Sequence, residues 1–224
     1  MDKLATYESI IELIIEEIHG IDNHLNKDTM NWNEFIRFSD LIHDSFIIPS
    51  TTISPVMRRF LYMIARCKQP VTIVAAGVYT GYALSWMVGG AGIQAPGKKK
   101  FILGIDTDEN ALTVCRNNYS TIGLTDGVFE KQRAQDYVYK ANKPIDMLFI
   151  DIDDPISGKV DYENVLKNFY PFLADGAYVL AHDSNERKFK TDFQPYHRYV
   201  YNTKLFSYSA VLPLDSCGIT LTIK

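Results

Sequence analysis

With 224 residues the chain is long enough to bury one sizeable core, and nothing in its composition divides it. Hydrophobic residues make up 46% and charged residues 22%, which excludes a disordered or fibrous chain. A formal net charge of -4, with basic runs no longer than Lys98-Lys99-Lys100, argues against nucleic acid as a partner. The widely spaced Cys67, Cys115 and Cys217 form neither a disulfide framework nor a CxxC metal motif, and no apolar stretch reaches the length of a membrane span. A cytoplasmic protein with no membrane partner is expected.

From Leu4 to Ile18 apolar residues recur every three or four positions, with glutamates on the other face, which predicts an amphipathic helix ending near Gly20. Further helices are predicted from Trp32 to Phe46 and from Pro55 to Cys67, the latter with Ser54 as N-cap and proline at the first position. After Pro70 short apolar runs alternate with helical stretches, the pattern of buried parallel strands. Strands are expected at Val71–Ala76, Phe101–Asp106, Val128–Lys131, Ile145–Asp151 and Ala177–Asp183. Crossover helices are expected near Tyr82–Val88, Glu109–Ile122, Gln135–Ala141 and Tyr162–Leu173. A last helix near Phe193–Asn202 precedes two runs, Leu205–Leu212 and Gly218–Ile223, that read as an antiparallel hairpin. The fold class is therefore α/β: a Rossmann-like, doubly wound, mostly parallel sheet with a closing antiparallel hairpin and N-terminal helices. One domain is expected over residues 1–224, with a helical cap at 1–67 and the Rossmann-like core at 68–224.

In such a sheet ligands bind outside the carboxyl ends of the strands. The first strand ends in Gly77-Val78-Tyr79-Thr80-Gly81, where the glycines permit a tight turn and a close backbone approach to a ligand, as they also would in a plain strand-to-helix turn. Asp106 ends the second strand, where a carboxylate can accept both ribose hydroxyls or, with Thr107 and Asp108, start the next helix. The fourth strand ends at Asp151, followed by Asp153 and Asp154, and the fifth at Asp183, beside His182, Ser184 and Asn185. These oxygens suit Mg²⁺ or Ca²⁺, and equally suit capping and turns; His182 suits local packing or acid–base work. No G-x-G-x-x-G turn is present to support a nicotinamide cofactor.

The run of motifs resembles the small cation-dependent S-adenosylmethionine O-methyltransferases, which include catechol and caffeoyl-CoA O-methyltransferases. The likeness covers about residues 50 to 224, through Ile53-Ser54-Pro55, Gly77 to Tyr82, Gly104 to Asp108, Ala134-Gln135-Asp136, Asp146 to Asp151, Asp175-Gly176 and Leu212 to Ser216. The resemblance implies methyl transfer from S-adenosylmethionine to an oxygen of a small molecule, by a homodimer. It places the methionine moiety at Gly77, Tyr79 and Gly81, the ribose at Asp106 beside Thr107, and the adenine at Ala134 and Gln135, with Asp151 at the junction of cofactor and metal. A divalent cation such as Mg²⁺ would be held by Asp151, Asp183 and Ser184. Three positions depart from the family: Ala75 replaces a glutamate, Ser184 an asparagine ligand (Asn185 follows it), and Asp154 the basic lysine. Asp154 or His182 is then the candidate base. The departures also motivate an alternative, a protein that binds S-adenosylmethionine with altered chemistry: another acceptor atom, a non-methylating reaction or regulatory binding. Aromatics such as Trp32, Phe35 and Tyr196 could line an acceptor pocket or simply pack.

Overall fold

Three helices precede the sheet: α1 (Lys3–Ile21), α2 (Trp32–Ser45) and α3 (Pro55–Lys68). The computed structural model describes residues 3–92, 100–154 and 157–224. Local chemistry sets the helix starts. Asn31 accepts from the Glu34 N–H at the head of α2, and Ser54 Oγ from the Met57 N–H at the head of α3, where Pro55 takes the first turn. The Ser54 hydroxyl also donates to the Asp215 carboxylate, tying the head of α3 to the distant hairpin turn.

Beyond Pro70 the chain alternates β1 (Thr72–Ala76), α4 (Tyr82–Gly90), β2 (Phe101–Asp106), α5 (Glu109–Thr121), β3 (Val128–Lys131), β4 (Ile145–Ile150), α6 (Tyr162–Phe169), β5 (Leu173–His182), α7 (Phe193–Val200), β6 (Tyr208–Leu212) and β7 (Ile219–Ile223). The seven strands form one sheet in the order β3-β2-β1-β4-β5-β7-β6, the first five parallel and β7 running against them, antiparallel to both β5 and β6. The chain builds outward from β1 to β3, then crosses back to place β4 on the other side of β1. The order therefore reverses between β1 and β4, and a crevice opens at their carboxyl ends.

Alternation along the strands feeds two cores. Ile73, Ala75, Phe149, Leu180 and Leu221 face α1 to α5, and Val74, Ala76, Leu148, Ile150 and Val179 face α6 and α7. The first core runs from Ile11 to Ile223, so the N-terminal helices and the closing hairpin share one apolar interior. Ala75 is fully buried in it, facing helices.

The predicted order of strands and helices is present, with three differences. No α-helix forms over Gln135–Ala141: a single 3-10 turn at Ala134–Asp136 gives way to extended chain, because Tyr137 and Tyr139 turn inward while Val138 points to solvent, a period of two. β3 is an edge strand with Glu130 and Lys131 exposed, rather than a buried one. β5 begins four residues earlier than the apolar run suggests, because Gly176, at φ +74, lets the chain bend into register.

Candidate functional site

A pocket of about 490 Å³ lies outside the carboxyl ends of β1, β2, β4 and β5. Its base is the turn after β1. Gly77 has φ +84, and a Cβ there would strike the Asp151 carbonyl, so only glycine lets β1 and β4 close up at the reversal point. Gly81, at φ +82, starts α4 and lies against Cys115 and the Tyr119 ring. It offers no side chain to the first N–H groups of α4; α2, α3 and α5 are capped by Asn31, Ser54 and Asp108, while α6 and α7 also lack a side-chain cap, and of these uncapped starts the one at α4 opens on the pocket. Tyr82 and Ala83, the first residues of α4, line the pocket. The positive end of that helix is thus left free for an anion.

Asp106 stands at the end of β2. Its Oδ2 accepts from the Tyr79 N–H at 2.7 Å and its Oδ1 from the Asp108 N–H at 3.0 Å. Each oxygen keeps a second lone pair, so the carboxylate is fixed in place yet still able to accept hydroxyls from the pocket. Tyr79 is held at φ 48, one of four described non-glycine residues with positive φ, and Asp183 at φ 62 is another. Both line the pocket, and backbone strain of this kind persists where the surrounding structure enforces a functional geometry.

The crevice brings together nearly all of the residues singled out from the sequence: Gly77, Tyr79, Asp106, Thr107, Ala134, Gln135, Asp151, Asp154, His182 and Asp183 all line it. Two do not. Gly81 supports the turn from behind, and the Ser184 hydroxyl is buried with no hydrogen-bond partner among the described residues. Asp154 accepts from the Ser157 N–H at 3.0 Å and lies 3.9 Å from Arg133.

Sequence reasoning missed Lys159. It is 1% exposed, and its Nζ lies 3.2 Å from Asp151 Oδ1 and 2.8 Å from Asp183 Oδ2. His182 Nδ1 lies 3.3 Å from Asp151 Oδ2 and 3.4 Å from Asp183 Oδ1. Burial by itself pushes the Asp151 carboxyl up, but the charges of His182 and Lys159 overcome it and hold the group below the usual carboxylate range. Burial likewise works against the charge of Lys159 and of His182, and in both the neighbouring carboxylates win and raise the affinity for the proton. The two carboxylates thus favour a proton on His182 by their charge, although no described hydrogen bond holds its buried Nδ1.

Residues 74–184 match a family described as a methyltransferase domain. The matched segment is just under half of the chain. The likeness to small O-methyltransferases read from the motifs is found again among known proteins. A catechol O-methyltransferase of Niastella koreensis is 29% identical over 113 residues, 48% of this chain, and the chain spans about half the length of that curated relative, 49%. The fold also matches that of the O-methyltransferase TomG of Streptomyces achromogenes, solved with S-adenosylmethionine (TM-score 0.65, 17% identity, 83% of this chain and 88% of that one). It matches an O-methyltransferase of Bacillus cereus, solved with S-adenosylhomocysteine (TM-score 0.62, 17% identity, 86% and 91%).

The pocket residues fit an adenosyl cofactor: a glycine turn, an uncapped helix start and a fixed carboxylate at the end of β2. They fit a divalent ion between Asp151 and Asp183 poorly, because Lys159 Nζ spans that pair and such ions take oxygens at about 2.0–2.6 Å. Among the described residues His182, Asp183 and Cys217 could also approach one ion, with ligand atoms within 4.8 Å of one another. Asp183 is already engaged by Lys159, and burial pushes the Cys217 thiol up to about 11, away from the thiolate that binds metals.

Proposed function

We propose that the protein is an S-adenosylmethionine-dependent O-methyltransferase acting on a small molecule. The observation that carries this reading is the pairing, across one crevice, of the uncapped start of α4 with the doubly held carboxylate of Asp106. The N–H groups of Tyr82 and Ala83 would bind the cofactor's carboxylate, and Asp106 beside Thr107 the ribose hydroxyls. Ala134 and Gln135 would border the adenine, while Gly77 and Tyr79 shape the turn beneath the methionine chain and Asp151 closes the far wall. When bound, S-adenosylmethionine supplies an electrophilic methyl group on its sulfonium sulfur. The complexes named for the Streptomyces and Bacillus proteins support the same cofactor here.

The protein's own tasks are then to orient the acceptor hydroxyl and remove its proton. His182 is the base in this reading: it lines the pocket beside Asp151 and Asp183, whose charges raise its affinity for the proton. Asp154, held by the Ser157 N–H, is placed beside the acceptor rather than at the proton. Pro49, Thr51, Thr52 and Ile53, just ahead of α3, form the wall that keeps water from the methyl group.

The chain acts in this reading as a single domain and a cytoplasmic homodimer. Exposed Ile10 and Leu13 on α1, with Ile36 and Leu41 on α2, support an apolar contact between protomers, and three unpaired cysteines support a reducing compartment. No described helix is long and apolar enough to cross a membrane. Incubation with S-adenosylmethionine and a panel of phenols, carboxylates and aliphatic alcohols, followed by mass spectrometry, tests the activity. A methylated oxygen on at least one class is expected. Cofactor binding without product from any acceptor would replace this reading with that of an S-adenosylmethionine-binding protein of altered chemistry.

A further inference from the structure

The two carboxylates expected to hold a divalent cation are closed into a ring by the protein itself. Lys159 Nζ takes one oxygen of each, at 3.2 and 2.8 Å, and His182 Nδ1 faces the other oxygen of each, at 3.3 and 3.4 Å. All four carboxylate oxygens of Asp151 and Asp183 therefore have a nitrogen neighbour. We propose that Lys159 is a resident cation: its ammonium stands in the divalent-ion position between Asp151 and Asp183, so that the site works without a metal. The functional part of this inference rests on the methyltransferase reading; the ring does not.

The arrangement is built. A lysine is almost never fully buried unless paired, and this one is enclosed on its remaining sides by the rings of Tyr162 and Phe189, with centroids 5.5 and 5.4 Å away. Its backbone is pinned too. The Lys159 N–H donates to Asp192 Oδ2 at 3.2 Å, its carbonyl accepts from the Tyr162 N–H at 3.2 Å, and the preceding Gly158 turns at φ +60 to pair with Asp154. The third expected metal ligand is withdrawn, since the Ser184 hydroxyl is buried outside the pocket lining.

Replacing a divalent ion by an ammonium changes what the site can do. A metal would bind the acceptor oxygen directly and acidify it. The ammonium instead balances the two carboxylates, holds them in place and leaves proton removal to a protein base. Lys159 is thus a positioning residue: it fixes Asp151 and Asp183, and through them the His182 ring.

The test is Mn²⁺ binding, read as loss of the free-ion electron paramagnetic resonance signal, on the intact chain and on Lys159→Ala, Lys159→Met and Lys159→Ala/Asp151→Asn variants. The wild type is expected to show no Asp151-dependent Mn²⁺ site. Removing the ammonium is expected to create one, with affinity raised about tenfold or more over the wild type, and Asp151→Asn is expected to abolish it again. Lys159→Met keeps an unbranched apolar stem without the ammonium and serves if the alanine variant does not fold. A wild-type Mn²⁺ site that Asp151→Asn removes would overturn the proposal, as would folded Lys159 variants that gain no site. S-adenosylhomocysteine titration of the same preparations separates the two readings, because absent cofactor binding beside the expected Mn²⁺ pattern would sink the methyltransferase reading and leave the ring standing.

Discussion

Two partly buried charge clusters in this protein are built from the same chemistry in different surroundings. Ahead of the sheet, where α1 and α3 finish, Asp22 Oδ2 accepts from Lys68 Nζ at 3.0 Å and from the Tyr178 hydroxyl at 2.8 Å, and the ammonium lies 4.4 Å from the Tyr178 ring centroid. One anion meets one cation, one phenol and the His24 N–H, and the group clamps α1 to the sheet away from both pockets described. At the carboxyl ends of the strands Asp151, Asp183, Lys159 and His182 form a larger cluster that opens on a pocket and carries a strained residue, Asp183 at φ 62. A cluster that only stabilises can be matched and closed, whereas one that works must keep a titratable nitrogen within reach of a ligand.

Substitutions at the two clusters should therefore separate turnover from stability. The largest effect is expected for His182→Gln, which removes the proposed base: turnover should fall about 10²- to 10⁴-fold with cofactor affinity nearly unchanged, measured by steady-state kinetics beside calorimetry. A fall in affinity with turnover preserved would move the base elsewhere. Next comes Asp106→Ala. Loss of charge-assisted hydrogen bonds worth about 1.5–3 kcal/mol should weaken S-adenosylhomocysteine binding roughly 10- to 100-fold, and equal affinity in the variant would break the ribose assignment.

The clamp should behave in the opposite way. Asp22→Asn is expected to cost about 1–3 kcal/mol in denaturant unfolding while leaving turnover within about twofold, since Lys68 then lacks its carboxylate. A large loss of activity in a folded variant would mean that the two ends of the sheet are coupled. The smallest effect is one of pH. Burial pushes the Asp22 carboxyl up, but Lys68, Tyr178 and the His24 N–H outweigh it and hold the group below the usual carboxylate range. Its contribution is therefore complete above about pH 4 and lost as pH falls through the depressed folded value. The stability gap between wild type and Asp22→Asn should narrow only in that acid window, and a gap that closed near neutrality would contradict the pairing.

Much of this was legible in the sequence because the residues concerned end strands. Asp106, Asp151 and Asp183 each follow an apolar run, so placing the strands places the carboxylates, and parallel pairing of β4 with β5 brings the last two together. Gly77 announced itself by residue type. Lys159 gave no such sign: it lies eight positions after Asp151 in a turn segment, where a lysine reads as a solvated surface group. The one cue was its place just after Gly158, whose left-handed turn sends the side chain inward. The extended stretch at Tyr137–Tyr139 was misread as helical because both periods fit so short a run, and only the inward packing of the two rings decides between them.

The most direct test of the central claim is calorimetric titration of chelator-treated protein with S-adenosylhomocysteine, for the wild type and Asp106→Ala. One site per chain with a dissociation constant on the order of micromolar, weakened in the variant, is the predicted result. No binding heat in a folded wild-type preparation at several temperatures would contradict the assignment of the crevice to an adenosyl cofactor.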